Sequence, residues 1–191
     1  TLGPEMKSTG EVMGVGSNFP LAFDKAQRAA GTRLPRSGRV FLSVTDADKD
    51  SAVLVARMLR MAGYELLATH WTHKALARNG IPSQMVLKFT EGEELRLAAE
   101  GLCCDSETQE GAQKLAERGS ITTIVDLIEE GEVNLVINTP TGRGARTDGY
   151  EIRRAAVRRG VPTITTMAAA LAAVQAMVSV PESPITVTCI Q

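Results

Sequence analysis

Aromatic side chains are scarce in this sequence: four Phe, two Tyr and one Trp make up 4% of 191 residues. A core must therefore be aliphatic, and the 43% hydrophobic content can supply it from Val, Ile, Leu, Ala and Met. Net charge is nearly absent too, at −1, so no overall field favours nucleic acid or an anionic membrane as partner. No apolar run approaches the roughly 18 residues that cross a bilayer, and no secretory signal is visible. Three cysteines make no even disulfide framework, and adjacent Cys103 and Cys104 have no second pair to complete a zinc site. Free thiols in a reducing cytoplasm are expected. His70 and His73 have no carboxylate or third ligand near them in sequence, so no metal site is expected. There is no Walker A loop, no dinucleotide-binding glycine fingerprint after the first strand and no nucleophile elbow. The chain opens at Thr1 rather than methionine, which leads us to expect a piece of something longer.

What is present is an alternation. Residues 1–36 stand apart: Thr1 to Gly16 is rich in Gly, Thr and Ser, and residues 18–30 set Phe19, Ala22, Phe23 and Ala26 at helical spacing. A turn-rich linker from Gly31 to Gly38 marks a boundary, with a second unit over 37–191. In that unit strands are expected at 39–44, 64–69, 85–88, 133–138 and 161–164. Helices are expected at 48–62, capped by Asp46 or Asp48, and at 72–79. A third begins at Ser120 and stops at Gly131. A fourth is capped by Thr147 or Asp148 and stops at Gly160, and a last, alanine-rich one runs to about Val178. Acidic residues 90–118 read as an exposed excursion with some helix, and residues 185–190 as a further strand. The whole predicts a doubly wound α/β domain, a mainly five-stranded parallel sheet with helices on both faces.

Polar residues follow most of the apolar runs: Ser43, then Thr69, His70 and Thr72, then Lys88, then Asn138 and Thr139, then Thr165 and Thr166. Open parallel sheets bind ligands outside the carboxyl ends of their strands. Hydroxyls, an amide and an ammonium beside helix starts suit a phosphate or another small anion. Blander readings stand beside this one. Thr69 can simply cap a helix, Lys88 can lay its stem along the sheet with its head in water, and Lys49 can be solvated. The loop Asn138-Thr139-Pro140-Thr141-Gly142-Arg143 gathers an amide, two hydroxyls and a guanidinium, a weak signal alone. Arg153, Arg154, Arg158 and Arg159 form a solvated helix face, or one that packs on another part of a larger protein.

Leu2-Gly-Pro-Glu-Met-Lys-Ser-Thr-Gly-Glu-Val-Met-Gly14, followed by Phe19 to Ala26, resembles the close of the second ATP-grasp half of carbamoyl phosphate synthase large subunits. Residues 39–178 resemble the C-terminal regulatory domain of that family, of methylglyoxal-synthase-like fold. Val136-Ile-Asn-Thr-Pro-Thr-Gly-Arg143 and Asp148-Gly-Tyr-Glu-Ile-Arg-Arg154 are the most specific stretches. The resemblance implies a domain that binds allosteric effectors and contributes no catalytic group, catalysis lying in the ATP-grasp halves. Bacterial members bind uridine monophosphate (UMP) as inhibitor and inosine monophosphate (IMP) as activator. Lys49, Thr69, Thr72, Lys88, Asn138, Thr139 and Thr141 match the family's nucleotide-phosphate site, with Ser43 at the same edge and Arg143 in the same loop. Thr165 matches a position facing the neighbouring domain and its ornithine site.

The resemblance further implies a glutamine-dependent whole enzyme that serves pyrimidine and arginine biosynthesis. That enzyme would use ATP, Mg and K, and would work with the remainder of the large subunit and a glutaminase small subunit. It would be cytoplasmic and oligomeric. The chain departs from the family at Pro140, where members have a hydroxyl residue, and over 93–118, which is longer here. It departs again at Trp71, where many have glycine; an indole there would narrow the site or stack on a base. Two relatives with other activities are less well matched. Methylglyoxal synthase needs an aspartate that Lys88–Glu94 lacks, and the N-acetylglutamate-regulated synthases carry a tryptophan where Lys88 stands. A structural oligomerisation domain without ligand is the remaining alternative.

Overall fold

Val40, Phe41 and Leu42 are wholly buried, and the strand that carries them, β1 (Arg39–Ser43), lies at the centre of the sheet. The structure, a computed structural model, describes residues 12–102, 106–117, 121–139 and 146–180. β1 pairs in parallel with β2 (Glu65–Ala68) on one side and β4 (Leu135–Asn138) on the other. The two-residue strands β3 (Gln84–Met85) and β5 (Thr163–Ile164) close the order β3-β2-β1-β4-β5, all parallel. Leu42 stands beside Ala68, and Ser43 beside Asn138, so the central strands end level.

Alternation along each strand sends its apolar residues to two faces. On one face Leu42, Leu66 and Ile137 meet Val55 and Leu59 of α2 (Lys49–Met61), Leu76 of α3 (His70–Arg78) and Val174 of α8 (Met167–Ser179). On the other, Phe41, Leu67 and Val136 meet Ile124 and Ile128 of α6 (Ile124–Glu129) and Ile152 and Ala156 of α7 (Arg146–Arg159). This is the expected doubly wound α/β architecture.

The opening helix α1 (Phe19–Ala29) packs on α8. Its Asp24 is buried between Arg28 Nε and Arg36 Nη2, each at 2.8 Å, while Arg36 Nη1 donates to the Val180 carbonyl at 2.9 Å. Fully buried Tyr64 donates its hydroxyl to the Pro35 carbonyl at 2.8 Å. Burial lifts its phenol above the ordinary value, outweighing the Arg36 charge that acts the other way. Residues 19–36 are thus seated directly on the sheet unit.

Several elements differ from their expected form. β3 stops at Met85: Val86 turns into the core, and Leu87 forms a single bridge to Thr123 instead of continuing the strand. β5 begins only at Thr163, because Pro162 has no N–H and offers only its carbonyl, to Val136. Residues 90–117 are more ordered than an excursion. They form α4 (Phe89–Ala99) and α5 (Ser106–Glu117), which pack on each other and bury Ala98 and Ala112. α6 starts later than expected, at Thr123, whose Oγ1 accepts from the Asp126 N–H while Asp126 Oδ2 accepts from the Thr123 N–H. Asp48 precedes α2 without capping it and accepts from Thr45 Oγ1 instead. The 185–190 strand, Ser120 and all three cysteines fall outside the described residues.

Candidate functional site

Thr69 follows β2 and occupies the position just before α3, so that Thr72 sits one turn in, inside the helix rather than at its start. Both are buried, at 4% and 1% exposure, an unusual place for two hydroxyls. Thr69 Oγ1 lies 3.3 Å from Thr72 Oγ1 and 3.5 Å from Ser43 Oγ at the tip of β1. Thr72 Oγ1 accepts from the Val44 N–H at 3.2 Å. Across β1, Thr139 mirrors this: its Oγ1 accepts from the Thr45 N–H at 3.2 Å and its own N–H donates to the Ser43 carbonyl at 3.0 Å. Asn138, also buried, completes the row beside Ser43. Ser43, Thr69, Thr72, Asn138 and Thr139 are thus brought together at the level ends of three strands, under the unpaired amides that open α3.

Lys88 is not the last residue of a strand. It is the residue before α4, where Glu91 Oε2 accepts its N–H at 3.0 Å. No described carboxylate pairs with its half-buried ammonium. Lys49 opens α2 and is paired with the exposed Asp46. Thr141 and Arg143, with Pro140, lie outside the described residues. Thr165 is elsewhere, at the end of β5. It lines a cavity of about 500 Å³ shared with α1 and the 31–34 linker through Phe23, Gln27 and Leu34.

Some functional positions were not legible. Thr90, on α4, donates both its N–H (2.9 Å) and its hydroxyl to Asp148 Oδ1 on α7, latching the two helices that flank the strand ends. The pair is 58 residues apart, and no local pattern announces it. Gly149 sits over the row, a Cβ there falling 3.7 Å from Asn138 Nδ2. α4 is also pinned from behind. Arg96 Nη2 donates to Asp126 Oδ2 at 2.6 Å, and Arg96 Nη1 to Glu93 Oε1 at 2.7 Å. Burial pushes the Asp126 carboxyl up, but hydrogen bonds from Thr123 and the Arg96 guanidinium outweigh it and hold it below the ordinary carboxylate value. Among the described residues no group of His, Cys, Asp and Glu could hold a metal ion, and no helix is long and apolar enough to cross a membrane. His73 Nδ1 instead hydrogen-bonds Ser83 Oγ at 2.9 Å.

The described residues thus gather hydroxyls and an amide at the strand tips, next to the start of α3. Residues 51–165, which carry nearly all of these groups, match the MGS-like domain family. The chain belongs to that family. This MGS-like chain is 46% identical over 190 residues to the carbamoyl phosphate synthase large chain, C-terminal section, of Methanopyrus kandleri, covering 99% of this chain and 30% of that one. It is 47% identical over 174 residues to the large chain of Rubrobacter xylanophilus, covering 91% and 14%. It is 42% identical over 191 residues to that of Archaeoglobus fulgidus, covering 100% and 15%. The chain thus spans less than a third of the length of these relatives, and is the counterpart of their C-terminal MGS-like region.

Proposed function

We propose that this MGS-like domain is the regulatory C-terminal portion of a glutamine-dependent carbamoyl phosphate synthase and binds a nucleoside monophosphate, with UMP inhibiting and IMP activating. The observation that carries the reading is the strand-tip row, with Thr69, Thr72, Asn138 and Thr139 buried and Ser43 half-buried, together with a lysine following β3 that no described carboxylate pairs. Lys88 neutralises the phosphate, and Lys49 joins it by exchanging Asp46 for the ligand. Thr69, Thr72 and the α3 amides orient the phosphate, and Thr139, Thr141 and Arg143 hold its far side. Inhibitor and activator share the site by making different contacts in two states of the large chain. Coupling of this kind amounts to about 1–3 kcal/mol. α1 and α8, with Thr165 between them, face the remainder of the large chain and pass the change on.

In this reading the ATP, magnesium and potassium belong to that remainder, and a glutaminase small subunit supplies nitrogen. The oligomeric, cytoplasmic whole makes carbamoyl phosphate for pyrimidine and arginine synthesis. The test is calorimetric titration of the full large chain and its Lys88→Ala variant with UMP, IMP and N-acetylglutamate. A charge-assisted hydrogen bond to phosphate is worth about 1.5–3 kcal/mol, so the variant should bind nucleotide roughly tenfold or more weakly. Binding of N-acetylglutamate alone would move the domain to the other regulatory class. Silence from all three ligands would leave a structural role.

A further inference from the structure

Where β3 ends, the start of α3 and the α4–α5 hairpin enclose a mostly apolar cavity of about 390 Å³. That is within the range of small-molecule sites. Trp71 and Met85 form one wall and Leu95 and Ala98 the other. Trp71 is 64% exposed and Met85 48%, high values for side chains of their size. The same first turn of α3 thus serves two places: Thr69 and Thr72 turn to the strand tips, and Trp71 turns to the cavity.

The two places differ in electrostatics. The strand-tip row holds hydroxyls and an amide, whereas the cavity is bordered by the carboxylates of Glu91 and Glu94, with the His70 imidazole held against Met85 Sδ at 3.3 Å. The hairpin that Glu91 and Glu94 belong to carries eight acidic residues, these two included, and two basic ones over 89–117. One of the two bases, Arg96, is held by Glu93 and Asp126. The indole already receives a cation, since Lys74 Nζ stands 4.8 Å from its ring centroid. Apolar walls, an indole face and rim carboxylates recognise a positively charged group carried on an apolar body, and repel an anion. Glu91 has one oxygen engaged by the Lys88 N–H, and no described residue donates to the other.

We infer that this cavity is a second ligand site, for a small organic amine with an aromatic or branched aliphatic body. Half of its lining, Glu91, Glu94, Leu95, Ala98 and Thr108, comes from α4 and α5, so it depends on the hairpin.

The test is calorimetric titration of the full large chain with phenethylamine and with its neutral and anionic counterparts, 2-phenylethanol and phenylacetate. The amine should bind, the alcohol about tenfold more weakly, and the carboxylate not measurably. Trp71→Ala should weaken the amine about tenfold, and Met85→Arg, which places a cation in the wall, should abolish binding. Both positions are exposed, so both variants should keep the parent melting temperature. Glu94→Gln should narrow the gap between amine and alcohol. Equal binding of the three compounds, amine binding untouched by Trp71→Ala and Met85→Arg, or no amine binding at all would each overturn the inference.

Discussion

Gly92 owes its place to a neighbour, not to its backbone. A Cβ at this position would lie 2.1 Å from Thr123 Cγ2, closer than atoms can approach. Gly92→Ala must therefore push α4 off the start of α6, and Lys88 with it. Overpacking of this kind costs about 1–3 kcal/mol, read from the urea midpoint. Thr123→Ser removes the methyl but keeps the capping hydroxyl, so adding it should restore most of the loss. If the double variant is no better than Gly92→Ala, the close approach is not the cause. Asp126 acts at the same junction. Its folded pKa lies below its ordinary 3.8, so its stabilising effect is present above that value and is lost as pH falls through the lower folded one. Asp126→Asn should cost about 1 kcal/mol at pH 7 through the weakened cap and Arg96 pairing. The gap between variant and parent should narrow progressively below pH 4.

At the scale of elements, legibility followed the length of the apolar run. β1, β2 and β4 each carry at least three consecutive buried residues, which mark a strand covered on both faces, and each was found within a residue or two of its expected bounds. β3 and β5 were over-extended because Val86 and Val161 are apolar for packing rather than for pairing. The hairpin was read only as an exposed excursion with some helix because its charge masks a thin apolar stripe, of which Ala98 and Ala112 are buried members. In the candidate site, strand-tip hydroxyls could be read from their position after apolar runs. The Thr90–Asp148 latch, formed only by folding, could not. The clamp of Arg36 on Asp24 and the end of α8 was equally hidden, since its partners are 12 and 144 residues away. Arg36→Ala leaves Asp24 with Arg28 alone and should cost about 2 kcal/mol. Amide exchange across residues 19–29 should accelerate more than exchange in β1. Uniform acceleration would mean that α1 and the sheet open as one unit.

For the whole molecule, the topology decides where ligands can gather. Chain direction across the sheet reverses between β1 and β4, and helices leave to opposite faces on either side of that point. The gap this opens is where Ser43, Asn138 and Thr139 stand, as the general rule for such sheets requires. The same topology has a consequence at the margins. Both outermost strands, β3 and β5, are only two residues long, and β3 is further blocked by the Leu87–Thr123 bridge. Short, interrupted edges give another chain almost no free backbone to hydrogen-bond. Among the described residues the sheet is therefore closed to growth by strand addition, which protects a parallel architecture against aggregation along its rim.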